Sequence, residues 1–359
     1  MSETESYNFE VSGINHPRIE KYKPEFVGYG GQHVVYSLPD YPNKVVKVEA
    51  DMLLRSTEGR LKTGKPASSE IVQERLDTQN KRIQALRDHF GVEHTLEQSS
   101  HYLKVPVSKE LFSQLYKRYR KGFEIPLELA NFEGNQSWSI VSIQEKLPEL
   151  SEPSRMSVTS GYAEKRSDVT SPDFIEAYDQ VTNQTIIDTS KSGTIIPEDI
   201  VRLHAHMESL LSTAKNDPNL QNTIRDFVQK SVQYTKDTGE MLDLAGQDNV
   251  IFFKDKNGNW TYNLPDALYP SPPISPEGKL KEVQDILSKV SSNGTESLSP
   301  SERNVLMNTV NYARVINGLA NWLEVSERID LIPENVHNID SQTIMNAIIT
   351  PDIDSLKRQ

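Results

Sequence analysis

Cysteine is absent from the 359 residues of this chain. Disulfide bonds, thiolate metal ligands and cysteine nucleophiles are therefore excluded together, and a reducing compartment suits such a sequence. Long apolar runs are absent as well, since no segment reaches the ~18 apolar residues of a membrane-spanning helix. The first ten residues, MSETESYNFE, are polar and acidic and do not match a signal or transit peptide. We therefore expect a cytoplasmic protein without a membrane partner.

Positive charge is also in deficit. Lysine and arginine number 39 against 51 aspartates and glutamates, which gives a formal net charge of −12. A surface of that sign repels a phosphate backbone, so extended nucleic-acid binding is not expected. A small polyanion such as a nucleotide needs only one lysine, a few backbone amides and a metal ion. The net charge therefore leaves nucleotide binding open.

The composition changes along the chain in a way that predicts two lobes. Residues 1–20 form a flexible acidic leader, and residues 21–150 contain short β-branched runs separated by turn residues. Residues 151–172 are rich in Ser, Thr, Pro and Gly, which indicates a linker or an insertion. Residues 173–359 are dominated by helical patterns. We predict an α+β protein, long enough to bury a core in each lobe.

Several elements are predicted within these lobes. An exposed loop is expected over residues 55–69, which are polar and contain glycine, followed by a helix from about Ser69 to Phe90. A second helix is expected over residues 222–241, and Ser299 with Glu302 forms a capping-box signature that opens a helix through Leu323. Residues 250–264 read as a hairpin with Asn-Gly in its turn.

Glycines between strand-like flanks form the first motif. Gly28, Gly30 and Gly31 lack a Cβ, so their backbone amides could approach phosphate oxygens closely. Eleven residues after Tyr36 comes Lys47, within the run VVKV. A lysine within an apolar strand needs an anionic partner, because burial of an unpaired ammonium group has a large free-energy cost.

This order of residues resembles the protein-kinase pattern GxGxxGxV followed by the VAIK strand. Gly28, Gly30 and Val35 match the glycine pattern, and Lys47 takes the place of the strand lysine. His33 stands where the third glycine would be. The resemblance implies a protein-kinase-like fold with a small β-rich N-lobe, one long helix in that lobe, and a mainly helical C-lobe.

The resemblance also implies a nucleotide site with ATP as its ligand. A carboxylate of the long helix would pair with Lys47, and Glu74 is the choice, with Glu70 as the alternative. The hinge that offers backbone groups to adenine would contain Gln144 and Lys146.

A second constellation lies in DLAGQDNVIFF and WTYNLPDALYP. In a kinase, a loop aspartate orients the acceptor hydroxyl, and an asparagine and a later aspartate hold Mg²⁺ against the phosphates. The resemblance assigns the first role to Asp243 and the metal to Asn249 and Asp266. Carboxylate and amide oxygens are suitable ligands for a hard cation.

The constellation departs from the family pattern at three points. The residues before Asp243 are Met-Leu instead of His-Arg. The step to Asn249 is six residues where the family has five, so Asp248 is an alternative second metal position. Ala267 and Leu268 replace the Phe-Gly of the family.

Three interpretations follow. The first is an ATP- and Mg²⁺-dependent kinase-like phosphotransferase acting on a small-molecule or protein acceptor. The second is a pseudokinase that binds nucleotide or a partner protein as a scaffold without turnover. The third treats the glycine hairpin as a plain turn within an unrelated α+β protein.

Overall fold

The computed structural model describes residues 24–29, 33–63, 69–119, 133–147, 156–158, 205–244, 249–268 and 277–331. The acidic leader, Gly30, Gly31 and nearly all of the predicted linker lie outside these residues. The chain divides into two compact units. The first consists of Met1–Gln84 and Leu96–Pro148, and the second of Ala85–Thr95 and Glu149–Gln359. Among the described residues, no helix is both long and apolar enough to cross a membrane.

An antiparallel sheet of five strands forms the centre of the first unit. Its strands are β1 (Glu25–Tyr29), β2 (His33–Ser37), β3 (Lys44–Glu49), β4 (Glu97–Val107) and β5 (Asn135–Glu145). Their spatial order is β1-β2-β3-β5-β4. This element, with the helices described below, confirms the α+β class predicted from the sequence.

One face of this sheet carries the main core of the first unit. Successive side chains of a strand point to opposite faces, so the alternating valines of β2 and β3 supply one apolar layer. Val34, Val46 and Val48 of that layer are completely buried. They pack with apolar residues of two helices, α1 (Ala50–Thr63) and α3 (Lys109–Tyr119).

The prediction of an exposed loop over residues 55–69 is wrong for residues 55–63, which belong to α1, and for Ser69, which begins a further helix. Residues 64–68 lie outside the described residues. Leu53 and Leu54 of this helix are completely buried in the main core, and Thr57 is buried beside them. The Thr57 hydroxyl donates to the Leu53 carbonyl at 2.7 Å. Burial against the sheet thus adds to the helix propensity of a segment rich in Ala, Met, Leu, Arg, Glu and Lys, and it offsets the cost of Gly59 inside the helix.

The long helix α2 spans Ser69–Phe90, which confirms the prediction for that segment. Leu76 and Ile83 are buried on one side of it. The helix ends at Gly91, whose φ of 94° is in the left-handed region that glycine tolerates best. The division between the two units falls inside α2, after Gln84.

A three-stranded sheet belongs to the second unit. It consists of β6 (Met156–Ser157), β7 (Ile251–Lys254) and β8 (Trp260–Asn263), in the order β6-β7-β8. β7 and β8 form the predicted hairpin. In its turn, Asp255 Oδ1 accepts hydrogen bonds from the backbone N–H groups of Asn257 and Asn259, at 2.8 and 2.9 Å. β6 pairs with β7 from within the predicted linker.

Four helices complete the described part of the second unit. They are α4 (Ala205–Ala214), α5 (Pro218–Thr238), α6 (Lys279–Asn293) and α7 (Pro300–Trp322). α5 begins four residues earlier than predicted, because Asp217 caps it by accepting from the N–H groups of Asn219 and Leu220. α7 begins at the predicted capping box, in which Ser299 and Glu302 exchange hydrogen bonds.

Aromatic rings fill the core between α5 and the hairpin. Phe227 packs against Phe252 and Tyr262 with centroid separations of 5.7 and 5.5 Å. Phe90, at the end of α2, packs against Phe227 and Tyr234 at 6.2 and 5.8 Å. All five rings are almost completely buried. The hairpin is therefore held in a helical unit by direct packing on α5.

Two glycines fix how α5 leads into the following segment. Gly239 ends α5 with a φ of 67°, and a Cβ on it would lie 2.2 Å from the carbonyl oxygen of Glu277. A Cβ on Gly278 would lie 2.7 Å from the carbonyl carbon of Gly239. The Leu280 N–H donates to the Gly239 carbonyl at 2.7 Å. Only glycine permits this approach, which anchors the start of the Asp243 loop on α6.

The assignment of residues 50–63 to a helix can be tested at Gly59. A Cβ at this position would meet no atom within 4 Å. We expect Gly59→Ala to raise the free energy of unfolding by about 0.5–1 kcal/mol, because alanine favours a helix over glycine by that amount. Gly258→Ala is the matched control: its site is equally open, but its φ is 82°. That variant should lose about 1 kcal/mol. Urea unfolding of both variants measures the difference, and a destabilising Gly59→Ala would contradict the helix.

A second prediction concerns the stability of the protein at low pH. The Ser299 N–H and the Lys289 ammonium hold the pKa of Glu302 down to about 2, against an ordinary value of 4.5. The depressed pKa contributes stability that is complete above about pH 4.5 and is lost as the pH falls towards 2. We expect the stability gap between wild type and Glu302→Gln to close over that interval. Thermal melting from pH 6 to 2 measures it, with the exposed Glu296→Gln as control. A gap that is constant with pH would contradict the assignment.

Candidate functional site

The strand registers bring three of the predicted residues, Gly28, Val35 and Lys47, onto one row across the sheet. Gly28 pairs with Val35, Val35 with Lys47, and Lys47 with Ser142. Ser142 pairs in turn with Ser100 on β4. Directly opposite residues of neighbouring strands point to the same face. These five residues, the lysine row, therefore lie together on the face opposite the main core.

Lys47 lies at the centre of the lysine row and is only 5% exposed. Its strand neighbours Val46 and Val48 point to the other face and are completely buried. Ser142 and Ser100, further along the row, are buried as well. The row therefore combines an ammonium group with buried hydroxyls, whereas the main core on the opposite face is apolar.

Gly28 has an open environment at the end of the lysine row. A Cβ at this position would meet no atom within 4 Å, and its φ lies outside the positive range. Neither crowding by the described residues nor backbone strain therefore requires glycine there. β1 carries a bulge between Phe26 and Gly28, a feature often found beside binding sites.

Glu74 is exposed on α2, and it lies about 200° around the helix from the buried Leu76. Its carbonyl accepts from the Thr78 hydroxyl at 2.9 Å. The pairing of Lys47 with Glu74 stays a prediction, and the side chain of Glu70 lies outside the description.

An ion pair joins β3 to α2 with its charges exchanged relative to the predicted pair of Lys47 and Glu74. Arg75, which follows Glu74 on α2, pairs with Glu49, which lies two residues after Lys47 on β3. Desolvation by burial lowers the pKa of the Arg75 guanidinium. Strand and helix are thus linked electrostatically, with the acid on the strand and the base on the helix. The sequence analysis did not identify this pair.

The two residues predicted for the hinge lie at the end of β5. The Lys146 N–H donates to the Asn43 carbonyl at 2.7 Å, so this amide already has a partner within the unit. Gln144 pairs with Val45 on one side and with Glu97 on the other. Its side chain points to the same face as Lys47, two residues along β5 from Ser142. Only 6% of Gln144 is exposed.

In the second unit, backbone pairing brings Asp243 next to the segment of Asp266. The Asp243 N–H donates to the Ala267 carbonyl at 2.8 Å. Leu242 and Leu268, on either side, form an isolated antiparallel bridge. Asp243 is 6% exposed, whereas Asp266 is partly exposed. Residues separated by 23 positions in sequence thus occupy neighbouring backbone.

Asn249 completes this cluster. Its amide nitrogen Nδ2 donates to the Asp243 carbonyl at 2.9 Å, and the side chain is 7% exposed. That hydrogen bond fixes the orientation of the amide and leaves Oδ1 as its acceptor atom. Asp248 lies outside the described residues. The structure therefore brings Asp243 and Asn249 into direct contact and places both beside the Asp266 segment.

The donor set of this cluster suits magnesium chemistry. An amide oxygen from Asn249 and a carboxylate from Asp266 are two hard oxygen ligands, and Mg²⁺ at nucleotide sites takes its remaining ligands from phosphate and water. Within the described ranges, no three His, Cys, Asp or Glu side chains are grouped to hold a metal ion by themselves.

No protein-family model matches the chain. The search of curated proteins also found no match.

The contact between Asn249 and Asp243 can be tested by its contribution to the free energy of unfolding of the protein. Asn249→Ala leaves the buried Asp243 carbonyl without its donor, which costs about 1–3 kcal/mol. The matched control is Asn257→Ala, at an exposed hairpin position, which should cost about 0.5 kcal/mol or less. Urea unfolding measures both changes, and equal losses in the two variants would contradict the contact.

Proposed function

We propose that this chain is an ATP- and Mg²⁺-dependent phosphotransferase with a bilobal protein-kinase-like fold. The observation that carries the proposal is the lysine row. Gly28, Val35 and Lys47 were selected because they resemble the kinase pattern, and their strands pair so that all three lie on one face. A kinase carries its phosphate-binding lysine on the third strand, after a glycine-rich loop that covers the phosphates.

Lys47 would hold the phosphates in this proposal. Its ammonium lies on a face that also carries hydroxyl groups, so an anionic ligand there would meet a positive charge in a site shielded from water. The open space at Gly28 supports the same reading, because no described atom accounts for the missing Cβ. A phosphate approaching the β1–β2 hairpin would account for it.

The cluster in the second unit would supply the metal and the acceptor. Asn249 Oδ1 and the Asp266 carboxylate would bind Mg²⁺, which neutralises charge on the transferring phosphoryl group. The Asp243 carboxylate would orient the acceptor hydroxyl and accept its proton. Phosphoryl transfer depends mostly on positioning and charge neutralisation, so two carboxylates, an amide and a lysine suffice.

A pseudokinase scaffold is the second candidate. It is favoured by the departures around Asp243, where Met-Leu replaces His-Arg, and by Ala267-Leu268 in place of Phe-Gly. The burial of Asp243 favours the enzyme, because a solvated side chain would have no fixed position relative to an acceptor. The scaffold would bind a nucleotide or a partner protein without turnover. The acceptor of the enzyme would be a small molecule or a protein.

Thermal melting with and without Mg·ATP tests nucleotide binding. We expect wild type to gain about 5 °C or more at saturating Mg·ATP, since a ligand at 100 times its Kd adds about 2.7 kcal/mol. Lys47→Ala and the bulkier Lys47→Met should lose this gain because the phosphates lose their cation. Asp266→Asn should lose the part that requires Mg²⁺.

The matched controls are Lys109→Ala and Asp285→Asn, which remove charges of exposed ion pairs. Both should keep the full gain. The ligand-induced gain is compared within each variant, so a change in basal melting does not affect the result. Absence of any gain in wild type overturns the enzyme and the nucleotide-binding scaffold. If the gain is present, phosphate transfer or ATP hydrolysis that is lost in Asp243→Asn identifies the enzyme, and no turnover identifies the scaffold.

A further inference from the structure

The side chain of Gln144 carries a buried amide oxygen on the same face of the sheet as Lys47. Gln144 Oε1 has no hydrogen-bond partner among the described residues, although the residue is only 6% exposed. Buried polar atoms are nearly always paired, so an orphaned amide oxygen requires an explanation. A hydrogen-bond donor on a ligand would be one.

The position of Gln144 places this acceptor close to the lysine row. Lys47 lies opposite Ser142, and Gln144 is two residues further along β5 on the same face. Diagonal neighbours of this kind lie roughly 7–8 Å apart. A nucleoside triphosphate is longer than that separation, so a single nucleotide could reach both side chains.

An apolar surface lies beside the acceptor. Val45 is directly opposite Gln144, and Val35 is directly opposite Lys47. Both valines point to the same face as Gln144, and both are partly exposed. Partly exposed β-branched side chains next to a buried amide offer a planar ring one apolar surface and one polar edge.

We propose that the Gln144 side chain reads the base of the nucleotide and selects adenine. Its Oε1 would accept from the 6-amino group, and its Nε2 would donate to N7, the pairing by which glutamine recognises adenine elsewhere. A 6-oxo purine presents an acceptor at the same edge and leaves Oε1 unpaired. The inference rests on the proposed function, because it takes the face of Lys47 as the nucleotide site.

The backbone pairing around Gln144 favours recognition of the base by the Gln144 side chain. The Lys146 amide donates to Asn43, and Gln144 pairs with strands on both sides. The Lys146 N–H and the Gln144 backbone therefore serve the sheet. The Gln144 side-chain amide is a polar group of this strand that can recognise the base.

The test compares Mg·ATP with Mg·ITP, whose base differs at the 6-position, by isothermal titration calorimetry. Wild type should bind Mg·ATP about 5- to 150-fold more tightly, the range that one bidentate amide–base pair provides. Gln144→Leu should bring the ratio close to one while Mg²⁺-dependent binding of both nucleotides persists, because Lys47 is intact. Gln114→Leu, at an exposed glutamine on α3, should keep the wild-type ratio.

A structural readout accompanies the affinities. Leucine is similar in size to glutamine and removes the orphaned acceptor, so Gln144→Leu should melt no lower than wild type without nucleotide. A marked fall would show that the amide is bonded within the protein and would overturn the inference. An unchanged ATP-to-ITP ratio in Gln144→Leu, or tighter binding of ITP by wild type, would overturn it as well. Failure of wild type to bind either nucleotide would instead overturn the proposed function.

Discussion

A buried lysine at the centre of a five-stranded sheet is the constraint on which the first unit depends. Lys47 is 5% exposed, and an ammonium group cannot be buried in a purely apolar layer without a large free-energy cost. The two faces of the sheet differ accordingly. One carries the apolar core with α1 and α3. The other carries Lys47, Ser142, Ser100 and Gln144, and it is the face to which the proposal assigns the nucleotide.

In the second unit, the main constraint is the restraint of the backbone around Asp243. The approach of Gly239 to Gly278 anchors the end of α5 on α6. The antiparallel bridge between Leu242 and Leu268 and the amide of Asn249 then fix the backbone around Asp243. A loop restrained by packing, backbone pairing and a side-chain amide allows little freedom to its carboxylate. Phosphoryl transfer requires that kind of positioning.

In the proposed chemistry, charged groups bind the phosphates, and an apolar surface with one amide recognises the base. In the proposal, Lys47 of the first unit would contact phosphate, and the valines with Gln144 would recognise the base. Asn249 and Asp266 of the second unit would bind the metal. Nucleotide binding and turnover are separate properties in this scheme. The first needs Lys47 and the metal ligands, and the second also needs the acceptor to reach Asp243. A scaffold that keeps nucleotide affinity and an enzyme would therefore share most of these residues.

Local patterns in the sequence determined α2, the β7–β8 hairpin and the capping box at Ser299, because periodicity, turn residues and caps act over a few residues. They failed for α1, whose polar, glycine-containing sequence is helical because Leu53 and Leu54 are buried against the sheet. The motif resemblance selected Lys47, but only tertiary structure decided its neighbours. The register between β3 and β5 pairs Lys47 with Ser142, 95 positions later, and no local signal encodes a pairing over that distance.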